Sequence, residues 1–471
     1  MAGTPAQRLG SASIPSPYWP NSPVESQLAT EIVQRSMMSH LPLEGLRVID
    51  MTVVWSGPTV TMLLSDLGAE VIRVDNPWLF PSSTRGLVAR PTEAQMKMMG
   101  TMGRAYPDGQ TGDRPQDRHA MFNWHARGKK LMTLDLRKKS GREIFLEMIK
   151  SADVFVENNN VSVLEHLGID WPVLHETNPA LILLRMPPAG IGGKYSTYLG
   201  FGAHFEAFSG ITAVRGYADS APATTTSVFQ MDPASGSVGA FAVMAALRRR
   251  QTTGQGDLIV LPQVENEMNH IGEMFIDAAA NGHDSQPMTN RDLNFVQGVY
   301  PTNEDDRFVS ITIRDDDEWH RATEVMGNPD WAADDRFLTQ AGRLASQDDI
   351  DAEITNWTRT RTRNEVFTLL QNAHVPAGPI MLEDDVFSDP HVKARGFLRK
   401  NTGSATGTHL YPGHQWKWSG PPMKWSPIGG LGADNEYVYK EVLGFSDEQY
   451  ADADREGHIA VSYLDAAGNP I

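Results

Sequence analysis

Residues 46–74 read LRVIDMTVVWSGPTVTMLLSDLGAEVIRV, and this stretch decides the fold class. Leu46–Met51 is a short apolar run typical of a buried strand, Pro58–Leu67 has the pattern of a helix, and Gly68 marks the end of that helix. Ala69–Val74 is a second strand of the same kind. A strand, a helix and a strand in this order form a βαβ unit, which predicts a parallel sheet covered by helices.

The same alternation continues along the chain. Further strands are predicted at Lys130–Leu134, Asp153–Val156, Ala180–Leu184 and within Gly254–Leu261, and helices at Lys138–Ser151, after Pro233 and at Glu265–Asn281. Phe308–Ile313 alternates like a strand and is flanked by helical patterns, including one over Ile350–Gln371, which predicts a smaller α+β unit. The chain is then expected to return to the large sheet through Val375–Ile380.

Composition limits the kinds of protein this can be. The 471 residues include no cysteine, which excludes disulfides and thiolate chemistry and favours a reducing compartment, so we expect a cytoplasmic protein. The net charge of −17 argues against nucleic acid and anionic membranes as partners. Neither a signal peptide nor a membrane-spanning run is predicted. Residues 1–40 read as an extended arm, and residues 86–118 as an inserted loop.

Several common site motifs are missing from the sequence. The turn at Gly57-Pro58 is not followed by GxGxxG, and there is no GxxxxGK[ST], GxSxG or HExxH. We therefore predict neither NAD nor a resident metal, and the scattered histidines are expected to have ordinary polar roles.

Asp232 is the strongest candidate for a chemical role. It follows the apolar stretch Ser227–Met231 and precedes the helical run after Pro233. An N-cap position is therefore predicted, with the carboxylate ionised at the positive end of the helix. Ala234, Ser235 and Gly236 leave room for a bulky group to come close. An ionised, accessible carboxylate can attack an acyl group. The alternative is that Asp232 only caps the helix.

An ordered set of segments resembles the class III CoA-transferases, the family of formyl-CoA transferase and crotonobetainyl-CoA:carnitine CoA-transferase. The segments include residues 42–50, 56–58, 66–75, 128–136, 152–158, 178–182, 245–256, 335–337, 375–379 and 388–391. The resemblance runs from about Leu41 to Leu398 and places Asp232 on the catalytic aspartate of the family. It implies a mixed anhydride with the donor acyl group, and then an aspartyl-CoA thioester.

The resemblance also implies an architecture. We expect a large Rossmann-like domain formed by residues 41–270 and 355–471, a small domain at residues 271–354, and two subunits interlocked like chain links. A homodimer is the first expectation. A hetero-oligomer is the alternative, in which this chain is a non-catalytic CoA-binding subunit.

Coenzyme A is the expected substrate carrier, and its contacts are transferred by position. Val53, Val54, Trp55 and Ser56 match the loop along the nucleotide and pantetheine path, Leu134 lies within the matched segments, and Asn158 matches an asparagine near the pantetheine. Trp55 either stacks on adenine or is buried under the inserted loop. Asn76 stands where relatives often have a phosphate-binding arginine. The remaining cationic candidates are Arg73, Arg127, Lys129 and Arg137, each of which can also be a solvated charge.

Two departures from the family bear on activity. Gly202 lies where formyl-CoA transferase has an active-site glutamate and where related acyl-CoA racemases have a catalytic aspartate, so racemisation lacks a proton carrier. Glu206, one turn further on, either replaces the lost acid in part or is an ordinary polar helix residue. No counterpart of the glycine-rich loop of formyl-CoA transferase lies between Gly282 and Val299, so small oxalate-like substrates are not implied.

Overall fold

The structure is a computed structural model that describes residues 40–98, 105–217, 219–221, 224, 230–287 and 289–471. Three expected features lie wholly or partly outside the described residues. They are most of the arm at residues 1–40, part of the insertion at residues 86–118, and residues 227–229 of the apolar stretch before Asp232.

A six-stranded sheet forms the centre of the large domain. Its strands are β1 (Arg47–Met51), β2 (Glu70–Asp75), β3 (Lys129–Thr133), β4 (Val154–Glu157), β5 (Ile182–Arg185) and β6 (Asp257–Val260). All neighbouring pairs are parallel, in the order β3-β2-β1-β4-β5-β6. The predicted α/β class is therefore confirmed. The order reverses between β1 and β4, and ligands of such sheets bind outside the carboxyl ends of the strands at this point.

Helices cover both faces of this sheet, because its strands are apolar on both sides. The helices in this part of the chain are α1 (Ser56–Asp66), α2 (Glu93–Met98), α3 (Pro115–Arg118), α4 (Ala120–His125), α5 (Lys139–Ile149), α6 (Ser162–Leu167), α7 (Trp171–Thr177), α8 (Gly202–Ser209), α9 (Ile211–Val214), α10 (Met231–Thr253), α11 (Gln263–Met268) and α12 (Gly272–Asn281). The helix predicted over Glu265–Asn281 is thus two helices, separated by a 3-10 turn at Asn269–Ile271.

Two layers of buried apolar side chains pack against the sheet, and different segments of the chain form them. One joins α1 and α10 to one face of the sheet, with Val48, Val60, Leu184 and Val243 fully packed. The other brings α5 against the opposite face, together with Val438 and Tyr439 from the end of the chain. Segments from early and late in the chain therefore pack in the same apolar layer.

A three-stranded antiparallel sheet forms a second unit. Its strands are β7 (Val296–Pro301), β8 (Phe308–Ile313) and β9 (Ala377–Pro379), and its helices are α13 (Asp316–Val325), α14 (Gln340–Ala345), α15 (Gln347–Thr358) and α16 (Arg363–Asn372). Val366, Leu370 and Val375 belong to its core. The expected boundary at residue 354 is therefore corrected, because the chain pairs with β8 at Ala377–Pro379 instead of returning to the large sheet.

The helix predicted over Ile350–Gln371 is also two helices. Thr362 caps α16, and Glu365 closes the capping box, so the chain begins a new helix there.

The remaining helices and strands follow β9 in the chain. They are α17 (Glu383–Ser388), α18 (Pro390–Arg395), the hairpin β10 (Leu398–Gly403) and β11 (Gly407–Pro412), a π-helical turn (Tyr437–Val442) and α19 (Asp447–Arg455). Three further 3-10 turns are Pro107–Gly109, Asp330–Ala333 and Asp335–Phe337. Within the described ranges, no helix is long and apolar enough to cross a bilayer.

Candidate active site

Asp232 lies in the first turn of α10, whereas the sequence predicted it as the N-cap with Pro233 as the first helical residue. The helix begins at Met231, so Asp232 is its second residue and not its N-cap. The carboxylate is almost buried, with 8% of the residue exposed. It accepts hydrogen bonds from the backbone N–H and the hydroxyl of Ser56. Ser56 is the first residue of α1, so the carboxylate is placed at the N-terminal ends of two helices.

A third helix begins beside the same carboxylate. Gly202 is the first residue of α8, and a Cβ atom built on it would lie 2.9 Å from Asp232 Oδ2. Three helix N-termini therefore converge on one carboxylate, which is an electrostatic arrangement that favours its negative charge. The glycine leaves the space next to Oδ2 free of side-chain atoms at this position.

Burial nevertheless raises the pKa of the Asp232 carboxyl to about 6, and the nearby Glu206 carboxylate acts in the same direction. The hydrogen bonds from Ser56 oppose this shift. The expectation that Asp232 stays ionised therefore holds above about pH 6 and not below it. Glu206 is itself buried and forms an ion pair with Arg215 at 3.3 Å.

Asp232 forms part of the wall of a cavity of about 180 Å³, here named the nucleophile cavity. Val53, Val54, Ser56 and Asn158 line one side of it. The other residues along its wall are Asn159, Asn160, Pro188, Tyr198, Leu199, Gly200, Phe201, Gly202, Phe205 and Gln263. The loops after β1 and β4 both contribute, so this cavity lies at the switch point of the sheet.

The loop after β1 is held in place by two side chains from elsewhere. Asn158 accepts the Val53 N–H at 2.7 Å, and its Nδ2 donates to Val53 O at 2.9 Å and to Ser56 Oγ at 3.3 Å. Thr84 Oγ1 accepts the Val54 N–H at 2.7 Å. Val54 has φ +60°, which is unfavourable for a β-branched residue and persists only where its surroundings impose it. Asn158 thus orients Ser56, which in turn holds Asp232.

A second cavity of about 280 Å³, here named the strand-end cavity, opens at the ends of β1, β2 and β3. Val53, Arg73, Asn76, Leu134 and Arg137 line it, so five of the predicted CoA-binding residues meet there. Val53 and Asn159 line both cavities, which makes the two cavities neighbours.

The charges of the strand-end cavity are already partly neutralised. Arg73 Nη2 lies 3.1 Å from Asp75 Oδ1, and the Arg73 side chain is almost fully buried. Arg137 pairs with Asp135 at 2.8 Å but leaves 56% of its side chain exposed. Arg137 is therefore the cation best placed to meet an incoming anion. His166 also lines this cavity, although the histidines were expected to have only ordinary polar roles.

Two predicted cations lie outside both cavities. Arg127 is paired with Asp66 at 2.6 Å, and Lys129 with Asp50 at 2.9 Å, both nearly without exposure. Lys129 Nζ also donates to Pro58 O and Thr61 Oγ1, so its hydrogen bonds are used within the core. These two residues hold α1 and the sheet together, and we remove them from the set of candidate phosphate ligands.

Trp55 lines neither cavity in the structure. Its ring packs edge-on against Trp124 at 5.8 Å between centroids. Trp124 lies outside the predicted insertion at residues 86–118, so this contact supports neither of the two predicted roles of Trp55 and both stay predictions.

Several cavity residues were not predicted from the sequence. They are Gln263, Asn159 and the aromatic group Tyr198, Phe201 and Phe205. Asn159 follows the end of β4 by two residues, and Gln263 follows β6 by three residues, so position after a parallel strand was a usable signal for both. The aromatic group had no such local signal.

Comparison with known proteins identifies the family. The family model for CoA-transferase family III matches residues 43–435. A probable CoA-transferase of Mycobacterium tuberculosis is 32% identical over 428 residues, covering 87% of this chain but only 49% of that protein. The chain thus spans about half of that relative. A formyl-CoA:oxalate CoA-transferase of Bradyrhizobium diazoefficiens is 27% identical over 451 residues, covering 90% of this chain and 99% of the relative.

A further relative and a solved structure agree with this match. The alpha subunit of succinyl-CoA:L-malate CoA-transferase of Chloroflexus aurantiacus is 28% identical, covering 87% of this chain and 90% of that subunit. A CAIB/BAIF family protein of Brucella suis superposes with a TM-score of 0.73 at 26% identity, covering 86% of this chain and all of that one. The chain therefore belongs to CoA-transferase family III.

Proposed function

We propose that this enzyme moves coenzyme A from an acyl-CoA donor to a carboxylic acid, with Asp232 as the nucleophile. The observation that supports this most is the position of the Asp232 carboxylate, which lies on the wall of a cavity and is oriented by Ser56. A helix cap alone does not require a partner from a second helix or an adjoining cavity. The pKa of about 6 leaves most of the carboxylate ionised at neutral pH.

The chemistry divides one exchange into acyl transfers. An Asp232 oxygen attacks the donor thioester carbon, and the C–S bond breaks to give a mixed anhydride and CoA thiolate. The thiolate attacks the Asp232 carbonyl carbon and releases the donor acid, leaving an aspartyl-CoA thioester. The acceptor carboxylate then attacks the carbonyl carbon of this thioester, and the C–S bond breaks to give a second mixed anhydride and CoA thiolate. The thiolate attacks the acceptor acyl carbon of this anhydride, which forms the new acyl-CoA and releases the Asp232 carboxylate. No proton needs to be gained or lost overall.

The residues around Asp232 have positioning and electrostatic roles in this scheme. The Ser56 N–H and hydroxyl hold the attacking carboxylate in one orientation. Negative charge builds up on oxygen in each tetrahedral adduct, and N–H groups at helix N-termini stabilise such charge. The missing side chain at Gly202 leaves room for the adduct beside Oδ2.

We place the two parts of CoA in the two cavities. The nucleotide would occupy the strand-end cavity, with Arg137 and His166 near its phosphates and Leu134 against the base. The pantetheine arm would pass Val53 and Asn159, which line both cavities, and bring its sulfur to Asp232.

Replacement of Asp232 tests the central assignment. Asp232→Asn keeps the size of the side chain but removes the nucleophile, so we expect transfer to fall by about 10⁴-fold or more. CoA affinity, measured by calorimetry, should stay close to that of the parent. Intact-mass analysis of the parent with an acyl-CoA should show a covalent CoA adduct that hydroxylamine removes.

The outcome also separates the alternatives. Transfer by Asp232→Asn at a near-parental rate would contradict the nucleophile. CoA binding without any adduct in the parent would favour a non-catalytic subunit. An acyl-CoA racemase would instead incorporate deuterium from solvent at the α-carbon, for which Gly202 supplies no proton carrier.

A further inference from the structure

Part of the wall of the nucleophile cavity is formed by large apolar and aromatic side chains. Tyr198, Leu199, Phe201 and Phe205 stand there, together with Pro188. Leu199 is 84% exposed, and Tyr198 and Phe201 are each more than half exposed. Large apolar side chains that are exposed beside a cavity provide a surface for an apolar ligand.

Neighbouring rings extend this surface beyond the cavity. Tyr195 packs against Tyr198 at 5.0 Å and against Phe208 at 5.6 Å between ring centroids. The volume of the cavity, about 180 Å³, is comparable with the roughly 150 Å³ of an apolar cavity that accommodates benzene. An aromatic or branched acyl group therefore fits beside Asp232.

The same cavity offers no counter-charge for a second carboxylate. Among the described residues that line it, none is Lys, Arg or His, and Asp232 is the charged one. Residues 220–231, which precede Asp232 in the chain, read SAPATTTSVFQM and include no cationic residue. Arg215 is paired with Glu206 and does not line the cavity.

The neutral polar groups of the wall are largely engaged by the backbone. Four amide nitrogens each donate to a carbonyl: Asn158 Nδ2 to Val53 at 2.9 Å, Asn159 Nδ2 to Met51 at 2.9 Å, Asn160 Nδ2 to Thr197 at 3.2 Å and Gln263 Nε2 to Met186 at 2.8 Å. A distal carboxylate inside the cavity would thus lose water next to Asp232 without gaining a cationic partner from the described wall. Such juxtaposition of like charges is costly.

We propose that the acyl groups exchanged at Asp232 are those of monocarboxylic acids with an apolar, preferably aromatic, body. This inference rests on the proposed function and narrows it. The proposed monocarboxylic acids differ from the acids in the names of several relatives. Those names include malate, citramalate and oxalate, which are dicarboxylic acids.

The first half of the reaction gives a direct test, because CoA loading of Asp232 needs only a donor. Butanoyl-CoA and succinyl-CoA both have four acyl carbons and differ in the terminal carboxylate. We expect initial loading, followed by intact mass, to be about 100-fold faster with butanoyl-CoA. Phenylacetyl-CoA should load at least as fast as butanoyl-CoA. Equal or faster loading by succinyl-CoA would overturn the inference while leaving Asp232 as the nucleophile.

Added charge at the rim of the cavity should change this preference. Leu199→Arg places a cation on an exposed position, so folding should be preserved, and we expect relative loading by succinyl-CoA to rise about 10-fold. Leu338→Arg makes the same charge change at an exposed position of the small unit. It should leave the ratio of the loading rates with succinyl-CoA and butanoyl-CoA unchanged. Phe201→Arg should act like Leu199→Arg.

An unchanged ratio in both rim variants would contradict the assignment of this surface to the acyl group. If no donor loads the parent enzyme at all, the proposed function itself fails, and this inference fails with it. The two failures are therefore distinguishable.

Discussion

At the scale of the residue, Asp232 is controlled by two opposing effects. Burial and the Glu206 carboxylate raise the pKa of its carboxyl, whereas hydrogen bonds from Ser56 lower it, and the balance lies at about 6. A nucleophile with this pKa is mostly ionised at neutral pH and retains more basicity than a free aspartate. The two Ser56 donors therefore determine how low the working pH of the enzyme can extend.

The raised pKa predicts a pH profile for CoA loading. Only the ionised carboxylate attacks the thioester, so the loading rate should be constant above neutral pH, half-maximal near pH 6, and about tenfold lower for each further unit of acidity. The pH dependence of the loading rate can be measured by quenched-flow sampling followed by intact-mass analysis. A rate that is flat between pH 5 and 8 would contradict it.

Ser56→Ala provides the matched comparison for that profile. The variant removes one donor to Asp232 and keeps the backbone N–H, so the pKa of Asp232 should rise and the midpoint should move to higher pH. A midpoint that stays in place would show that the hydroxyl does not stabilise the ionised form.

At the scale of the element, the close approach of α1 and α10 positions the nucleophile. Every residue of α1 is buried, because the helix lies between the sheet and α10. Gly236 allows the contact, since a Cβ atom on it would lie 2.6 Å from Thr59 Cβ and 3.0 Å from Ser56 O. Asp232 and Ser56 are each within the first two residues of these helices, so their hydrogen bonds depend on the helix separation.

Gly236→Ala should therefore affect both stability and catalysis. We expect a loss of about 1–3 kcal/mol in the free energy of unfolding, because the helices must move apart to admit the methyl group. Loading should fall at least tenfold as Asp232 moves away from Ser56. Chemical denaturation and the loading assay measure the two effects.

Gly272→Ala is the control for that substitution. Gly272 is likewise a glycine within a helix, the first residue of α12, and a Cβ atom on it would have no neighbour within 4 Å. This variant should match the parent in both assays. If the two alanine variants behave alike, the helix contact is not what positions Asp232.

At the scale of the whole molecule, several large apolar side chains remain uncovered on the chain. Phe241 of α10 is 68% exposed and Ile276 of α12 is 70% exposed, and no residue of α12, α17 or α18 is buried. Surface of this kind is typical of a subunit that is covered by a partner. The interlocked dimer implied by the sequence resemblance stays a prediction, and these helices are where we expect its contacts.

The oligomer prediction can be measured directly. The purified chain, expressed alone, should have twice its own mass in light scattering after gel filtration. Phe241→Asp and Ile276→Asp together should shift it toward the monomer, because buried unpaired charge disfavours the contact. Leu338→Asp, at an exposed position of the small unit, is the control. A chain that is monomeric alone and gains activity with a second subunit would support the hetero-oligomer instead.

The sequence by itself determined the class of fold and the presence of the helix that carries Asp232, although the helix begins at Met231, two residues before the predicted first residue Pro233. Strand and helix periodicity, the breaker at Gly68 and the proline after Asp232 are local signals, and each was close to the observed element. The family resemblance then pointed to the same aspartate. These features depend on neighbours within a few residues, which is why the chain alone shows them.

Only the tertiary structure decided which side chains meet at the site. Ser56 and Asp232 are far apart in the chain, and so are Lys129 and Asp50, yet one pair forms the active site and the other a buried ion pair. The small unit likewise continues to Ala377–Pro379 because β9 pairs with β8 there. Burial, charge pairing and the pKa of Asp232 are properties of three-dimensional surroundings, and no local pattern encodes them.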